Sequence, residues 1–480
     1  MLSTREIHKH NNSHSCWVVV DGQAYDVTEF LDHHPGGANS ILRYAGRDAT
    51  AEYEPVHPPG TIEKHLSKDK HLGPVEPETQ GDSASTPIVQ YDSDKPIPLS
   101  TVQNLTEFET EAKKVLSKKA WVYFHSAADS LNSLDTNRRD WTRVNLRPRI
   151  LRNVARVSMR CRLMGHDSSL PFFICPAAQA RLGHPDGELC LARGAGRYNI
   201  PYCSSTYSSV AHIELAKALA AQEKGGALLW QLYVPTAQEG AKQLISEARR
   251  LGFKALVLTV DTPVIGKREE DDRYKAELDH AAGLTVERTT STTGEAPILR
   301  GVHSSTLCWD DLSWIQKEWG NTGPVVLKGI QTAEDALLAH EAGIDGIYLS
   351  NHGGRQMDFA PSSLQTLLEI RRYYPHLLKE MEVYLDGGVM RGTDVIKALC
   401  LGARGVGLGR PFMYALSAYG TEGVCKAIQL LSDEIETTMR LLGVTSLEQL
   451  SEFYINTAAL ENGIVKRIDV GASGSIVSKL

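Results

Sequence analysis

The sequence of 480 residues has no apolar run that approaches the ~18 residues needed to cross a membrane. Its eight cysteines are scattered and none forms a CxxC pair, which argues against zinc or a disulfide framework and predicts free thiols in a reducing compartment. There is no long basic run and the formal net charge is −7, so nucleic acid is not expected as the main partner. The hydrophobic fraction of 42% is enough for sizeable cores, and the length predicts several domains or one large barrel with an addition.

Composition divides the chain into two folded parts. Residues 74–100 are rich in Pro, Ser, Asp and Glu and show no helical period, which predicts a flexible linker. It separates an N-terminal domain, 1–73, from a larger domain, 101–470. The larger domain is expected to open with a helix in which Thr106 and Glu109 have capping-box spacing.

A short tail, 471–480, ends in Ser478, Lys479 and Leu480. This tripeptide matches a peroxisomal address that is read by a receptor. The tail predicts a peroxisomal location, and a cytoplasmic one is expected if the match is coincidental.

From residue 171 onward, eight short apolar runs alternate with helical stretches. The runs are "PFFICPAA", "IPYCSST", "ALLWQLYV", "ALVLTVD", "VVLKG", "GIYLSNHGG", "VYLDGG" and "GVGLGRP". Eight such units in about 250 residues predict a (β/α)8 TIM barrel. A doubly wound sheet is the competing fold, but it usually has fewer strands. The polar stretch 269–305 interrupts the spacing, and we expect either a mobile loop over the barrel mouth or a solvated excursion without function.

Polar side chains collect where these runs end. They are Gln231, Tyr233, Thr259, Asp261, Lys328, His352, Arg355, Asp386, Gly409 and Arg410. The C-terminal ends of the strands build the active site of a TIM barrel. Each residue alone has an ordinary structural explanation, but the set favours a catalytic rim.

The last two runs predict a phosphorylated cofactor. Small residues in Gly405–Pro411 would bring backbone N–H groups close to a phosphate, with Arg410 as its counter-charge. "DGG" at 386–388 lies one barrel unit earlier, and the loops after strands seven and eight are the common phosphate site of this fold. Lys328 would suit an anionic, electron-rich ring, with an ion pair at the barrel mouth as the alternative.

"SNHGGRQMD" predicts the chemistry. Arg355 presents a planar fork that grips a carboxylate, while His352 can take a proton near neutral pH. Asp261, from another strand, can orient the imidazole and stabilise its charged form. Together these residues suit the oxidation of a hydroxy acid, with a flavin as the electron acceptor.

The N-terminal domain predicts a heme site. His34, in "HPGG", and His57 flank a helical stretch and could clamp a macrocycle from both faces. Six-coordinate iron with two imidazoles is suited to electron transfer. "YDVTEFLDHHPGG" followed by "AGRDAT" resembles cytochrome b5, and the resemblance implies heme b with His34 and His57 as its axial ligands.

From about Gln103 to Val444 the chain resembles the FMN-dependent α-hydroxy-acid dehydrogenase family, whose signature "SNHGGRQMD" closely matches. The resemblance implies that His352 is the catalytic base and Asp261 its partner. It implies that Arg355 and Arg268 bind the substrate carboxylate, that Tyr123 and Tyr233 hydrogen-bond the substrate, and that Lys328 stabilises the reduced flavin. It also implies FMN contacts at Ala177, Ala178, Ser205, Gln231, Thr259, Lys328, Ser350, Asp386, Gly387, Gly388, Gly409 and Arg410.

Three positions depart from the family pattern, and one of them is Ala127, where glycine is usual. Met390 stands where the family usually has Arg in "DGGVR", and Arg391 follows one position later. Tyr207 occupies a position facing the substrate side chain, where lactate-using relatives carry an aliphatic residue and glycolate oxidases a tryptophan. The sequence therefore leaves the particular hydroxy acid open.

Three functions remain in view. The first is a dehydrogenase that passes electrons from an L-2-hydroxy acid to FMN, then heme b, then a cytochrome c-like acceptor. The second is a peroxisomal oxidase that reduces O2 to H2O2, and the third a non-catalytic heme-binding scaffold. The resemblance also implies a homotetramer, and no membrane span is expected.

Overall fold

The computed structural model describes residues 1–57, 60–76, 92–284 and 303–465. The chain divides into two compact units, Met1–Tyr91 and Asp92–Leu480. Residues 77–91 of the expected linker and all of the tail 471–480 lie outside the described residues. The linker, the domain boundaries and the peroxisomal address therefore stay predictions.

The first unit is a small mixed sheet with short helices. Ser15–Val20 pairs with Gln23–Asp26, which pairs with His71–Pro74, and the short strands Asn11–Asn12 and Arg47–Asp48 both pair with Ser15–Val20. The helical segments are Thr4–Ile7, Thr28–His33, Ala38–Leu42, Thr50–Tyr53, Thr61–His65 and Lys68–Lys70.

The second unit contains a closed barrel of eight parallel strands, as the alternating runs predict. Numbered in chain order, they are β1 (Phe172–Ile174), β2 (Pro201–Ser204), β3 (Ala227–Leu232), β4 (Leu256–Thr259), β5 (Val325–Ile330), β6 (Gly346–Leu349), β7 (Glu382–Leu385) and β8 (Gly405–Leu408). Each is short and almost fully buried, because helices cover its outer face. The competing doubly wound sheet is excluded, since β8 pairs back onto β1.

Helices surround this barrel. Those that follow strands are Glu188–Tyr198, His212–Ala220, Gln238–Arg250, Glu269–Ala281, Leu312–Trp319, Ala333–Glu341, Ser363–Tyr373, Leu377–Glu380, Gly392–Cys400 and Arg410–Leu442. Three more, Leu105–Val115, Lys118–His125 and Asn132–Thr142, precede the barrel, and Ala458–Glu461 closes the described part. Within the described ranges, no helix is long and apolar enough to span a membrane.

A hairpin covers the N-terminal end of the barrel. It pairs Cys161–Leu163 with His166–Ser168. Leu163 packs against Gly405, the first residue of β8, and the backbone N–H of Met164 donates to the hydroxyl of Tyr384 at 2.7 Å. Side chains fill the interior above it, so the carboxyl ends of the strands are left to form a site.

Two local expectations are wrong. The first long helix begins at Leu105, and its cap is Asn104, whose side chain accepts the N–H groups of Thr106 and Glu107. Thr106 already lies inside the helix, because the side chain of Asn104 satisfies the first free N–H groups.

The second wrong expectation is the loop at 269–305, because its first part, Glu269–Ala281, is a helix. Four acidic residues occupy its first turn, where they complement the positive end of the helix dipole. Lys275 and Asp271 form an i,i+4 ion pair at 2.6 Å that supports the helix further. Residues 285–302 of the same stretch lie outside the described residues.

Candidate active site

A tight turn after β6 places His352 in the cavity at the carboxyl end of the barrel. Three consecutive residues, His352, Gly353 and Gly354, have φ of 59°, 64° and 76°. A Cβ at Gly354 would lie 2.7 Å from the backbone nitrogen of Leu134, so only glycine allows this approach. The side chain of Asn351 accepts the N–H of Gly354 at 3.0 Å and holds the turn.

The two ring nitrogens of His352 have different partners. Nδ1 lies 2.9 Å from Oδ1 of Asp261, whose side chain is buried, and Nε2 lies 3.1 Å from the hydroxyl of Tyr233. Because a carboxylate only accepts, Nδ1 carries the hydrogen and Nε2 presents its lone pair. The cavity-facing nitrogen is therefore the one that can receive a proton.

Electrostatics support that assignment. Burial lowers the pKa of His352 below its usual value, and the charge of Asp261 opposes the shift only in part. Burial alone would raise the pKa of Asp261, but the charges of His352 and Lys328 lower it, so Asp261 is ionised. A neutral imidazole that donates to a carboxylate is the arrangement of a general base.

Three guanidinium groups meet at the cavity wall. Arg355 donates through Nη1 to the carbonyls of Tyr123 at 2.9 Å and Ser126 at 2.6 Å. Burial, and then the charges of Arg268 and Arg410, lower the pKa of Arg355 to about 9. Among the residues that the structure describes, none of the three arginines forms an ion pair with a carboxylate, and Nε of Arg268 has no hydrogen-bond partner. Buried like charges of this kind fit an anionic ligand.

Lys328 supplies a further buried cation. Its Nζ donates to Oγ of Ser350 at 3.1 Å. Burial opposes its charge, but the carboxylates of Asp261 and Asp386 raise its pKa above the usual value. The Lys328 side chain is therefore charged at the floor of the cavity, where it suits an electron-rich ring.

Most of the residues singled out from the sequence line this one cavity. They are Tyr123, Ala177, Ala178, Ser205, Gln231, Tyr233, Thr259, Arg268, Lys328, His352, Arg355, Asp386, Gly387, Gly388, Gly409 and Arg410. Asp261 and Ser350 do not line the cavity themselves. Asp261 is hydrogen-bonded to His352, and Ser350 accepts a hydrogen bond from Lys328. The fold thus brings together residues that are up to 287 positions apart, the separation of Tyr123 from Arg410.

The glycine-rich ends of β7 and β8 form one wall of the cavity. Gly387 and Gly388 have φ of 92° and 75°, and a Cβ at Gly388 would collide with the backbone of Asn137. These turns present backbone to the cavity, which fits the phosphate of a bound nucleotide. Arg410 follows directly, but its Nε, Nη1 and Nη2 donate to the carbonyls of Phe124, Gly353 and Ser126 at 2.9–3.1 Å.

Sequence reasoning missed His303 and gave Tyr207 no partner. The rings of His303 and Tyr233 stack with centroids 4.3 Å apart and an interplanar angle of 7°. Nδ1 of His303 lies 3.3 Å from the hydroxyl of Tyr207. His303 follows the long insertion after β4, so no strand-end rule could place it beside the cavity.

The first unit contains a separate candidate heme site. The ring centroids of His34 and His57 are 6.1 Å apart. Two imidazoles that bind one metal at about 2 Å each place their ring centres roughly 6 Å apart, so the spacing fits. Nδ1 of His34 faces the carbonyl of Gly37 at 3.2 Å and that of His57 faces the carbonyl of Tyr53 at 3.0 Å, which leaves both Nε2 atoms for a metal.

Comparison with known proteins matches a family model to each of the two parts of the chain. Residues 112–457 match the family model described as FMN-dependent dehydrogenase, and residues 3–76 match the cytochrome b5-like heme/steroid binding domain. The chain belongs to the FMN-dependent dehydrogenase family and carries a cytochrome b5-like domain in front. FMN and heme b are its cofactors, and the chain is an oxidoreductase.

Known relatives match most of this chain. The chain is 41% identical to an L-lactate dehydrogenase (cytochrome) of Wickerhamomyces anomalus, covering 97% of this chain and 81% of the relative. It is 38% identical to the protein of that name from Saccharomyces cerevisiae, covering 96% and 80%. Glycolate oxidase 5 of Oryza sativa subsp. japonica is 37% identical and covers 76% of this chain.

Solved structures show the same barrel. The flavin-binding domain of baker's yeast flavocytochrome b2 superposes with a TM-score of 0.69 at 36% identity, covering 79% of this chain and 94% of that one. A mandelate oxidase superposes with a TM-score of 0.64 at 33% identity, covering 74% and 98%.

Proposed function

We propose that the chain oxidises a small L-2-hydroxy acid, of the lactate type, to the 2-oxo acid and delivers the electrons to a one-electron acceptor protein of the cytochrome c type. The observation that carries the proposal is His352, held by Asp261 with its free nitrogen facing a cavity lined by Arg355 and Arg268. The names of the two fungal relatives support the same reaction.

The residues that line the cavity have separate roles in binding the substrate and in taking up its proton. Arg355 and Arg268 bind the substrate carboxylate, because their buried positive charges have no carboxylate partner among the described residues. Tyr123 and Tyr233 hydrogen-bond the substrate, and Nε2 of His352 takes one of the two protons that the oxidation releases. Asp261 stabilises the imidazolium that results. Bound FMN supplies the two-electron acceptor, and heme b carries one electron at a time.

The cofactors are held by separate sets of residues. For FMN we propose Ala177, Ala178, Ser205, Gln231, Thr259, Lys328, Ser350, Asp386, Gly387, Gly388, Gly409 and Arg410, most of which line the cavity. For heme iron we propose His34 and His57 as the axial ligands.

Anaerobic mixing tests the reaction. The purified chain is mixed with L-lactate, glycolate and longer L-2-hydroxy acids while flavin absorbance and the heme bands are followed. Bleaching of the flavin followed by reduction of the heme supports the dehydrogenase. A flavin that stays oxidised with every acid contradicts it and leaves the heme-binding scaffold.

The alternative function is an oxidase that reduces O2 to H2O2. The similarity of the barrel to glycolate oxidases favours it, whereas a heme domain serves no purpose in such an enzyme. The same experiment separates the two, since an oxidase bleaches its flavin, leaves the heme oxidised and forms peroxide when air is admitted.

For assembly and location we propose a homotetramer that is imported into peroxisomes. The family resemblance supports the tetramer, and light scattering coupled to size-exclusion chromatography tests it. The terminal Ser478-Lys479-Leu480 supports import. A fluorescent fusion at the N-terminus should mark peroxisomes and lose that pattern when the three residues are removed.

A further inference from the structure

The turn after β7 directs no cation into the cavity. Met390 lines the cavity with its apolar side chain. Arg391, the next residue, points elsewhere, because its Nη2 lies 2.8 Å from Oε1 of Glu434. The other oxygen of Glu434 accepts the N–H of Gly392 at 2.6 Å, which fixes this pairing. A phosphate bound at the Gly387–Gly388 turn therefore gains no guanidinium from its own loop.

A helix that precedes the barrel lies against the same turn. A Cβ at Gly388 would be 2.7 Å from the backbone nitrogen of Arg138, so glycine allows helix Asn132–Thr142 to approach closely. Nε1 of Trp141 donates to the carbonyl of Gly387 at 2.9 Å, and this hydrogen bond joins the helix to the turn. Arg138 lines the cavity alongside Met390 and the two glycines.

The guanidinium of Arg138 has unused N–H donors beside the Gly387–Gly388 turn. Its Nη2 donates to Oε2 of Glu109 at 2.8 Å, which is its one hydrogen bond among the described residues, and a guanidinium has five N–H donors. Arg410, the other arginine near the glycine turns, already directs three nitrogens at backbone carbonyls. The Arg138 side chain is 42% exposed, so it can reorient while Glu109 holds one edge of its plane.

We propose that Arg138 binds the phosphate of FMN and supplies the counter-charge that position 390 does not provide. Glu109 positions the guanidinium, and the free donors face the phosphate. A planar fork of this kind suits phosphate oxygens better than a single ammonium would.

Comparing two flavins tests the proposal, because riboflavin has the ring of FMN but lacks the phosphate. The full-length chain is stripped of flavin, and each ligand is titrated while flavin fluorescence is measured. In Arg138→Gln we expect FMN to bind about 10- to 100-fold more weakly, with riboflavin affinity unchanged. Equal FMN affinity in the variant, or an equal loss for both ligands, would overturn the proposal.

Two further variants sharpen the result. Arg139→Gln is the matched control, since Arg139 is exposed on the same helix and bonds to Oγ1 of Thr136 at 2.9 Å. It should bind both flavins as the parent chain does. Met390→Arg in the Arg138→Gln background returns a guanidinium to the cavity and should recover FMN affinity, and unchanged riboflavin affinity reports an intact barrel in all variants.

Discussion

The imidazole of His352 and the carboxylate of Asp261 lie 2.9 Å apart, although β4 and β6 bring them from positions 91 residues distant. The pair fixes the tautomer of the ring and leaves Nε2 facing the cavity. Because burial lowers the pKa of His352, the ring is neutral and ready to accept a proton at neutral pH.

The first prediction concerns the base itself. His352→Gln should slow flavin reduction by roughly 10²- to 10⁴-fold, since glutamine cannot take the proton. Stopped-flow absorbance with an L-2-hydroxy acid measures this rate, and the heme spectrum should be unaltered. Unchanged turnover in the variant would remove His352 from the catalytic role.

The second prediction is a pH dependence. The reactive form is neutral His352, whose pKa is lowered. The rate of flavin reduction should therefore be low in acid, rise with pH, and reach a plateau. The midpoint of the rise, the apparent pKa, should lie below ~6.5. Asp261→Asn removes the charge that opposes this shift, so the acidic limb should move to lower pH. The plateau should fall as well, because the imidazolium loses its stabilising partner. A limb that stays in place would argue that Asp261 does not act on His352.

The third prediction concerns the substrate side chain. The hydroxyl of Tyr207 meets His303 and narrows the cavity beside Tyr233. Tyr207→Leu should therefore raise kcat/KM for longer 2-hydroxy acids relative to glycolate, by about 10-fold or more. The ratio of the two kcat/KM values does not depend on how much active protein the variant retains, so it needs no further control. An unchanged ratio would show that Tyr207 does not contact the substrate.

The fourth prediction concerns the buried cation. Lys328→Met leaves the carboxylates of Asp261 and Asp386 without their counter-charge, and should lower the free energy of unfolding by about 3–5 kcal/mol. Urea unfolding followed by tryptophan fluorescence measures it. Adding Asp386→Asn should recover part of the loss, whereas additive losses would mean that the two residues do not interact.

The fifth prediction separates the two cofactors. His57→Ala should abolish heme binding and reduction of the one-electron acceptor, while the flavin is still reduced by substrate. His65→Ala, an exposed histidine in the same unit, is the control and should retain the heme. Heme retained in His57→Ala would contradict the proposed ligand pair.

Most of this site was predictable, because parallel strands end at a common rim. Asp261, Lys328, His352 and Asp386 each follow an apolar run, so periodicity alone brings them together. His303 and Arg138 could not be found that way. One follows a long insertion and the other lies on a helix before the barrel, and only the folded chain shows that both reach the cavity.

The errors in the fold were local. Asn104 rather than Thr106 caps the first long helix, since several short polar side chains in a row can each accept the free N–H groups. The polar and charged composition of Glu269–Ala281 predicts a loop, yet acidic residues in the first turn stabilise it as a helix.

The hairpin at Cys161–Ser168 has a kinetic consequence. Together with the packed interior it leaves the described part of the barrel open only at the carboxyl ends of the strands. Substrate and product must then enter and leave through the same opening. Both bind in turn at the same arginine-lined site. The 2-oxo acid should accordingly act as a competitive inhibitor of its own formation.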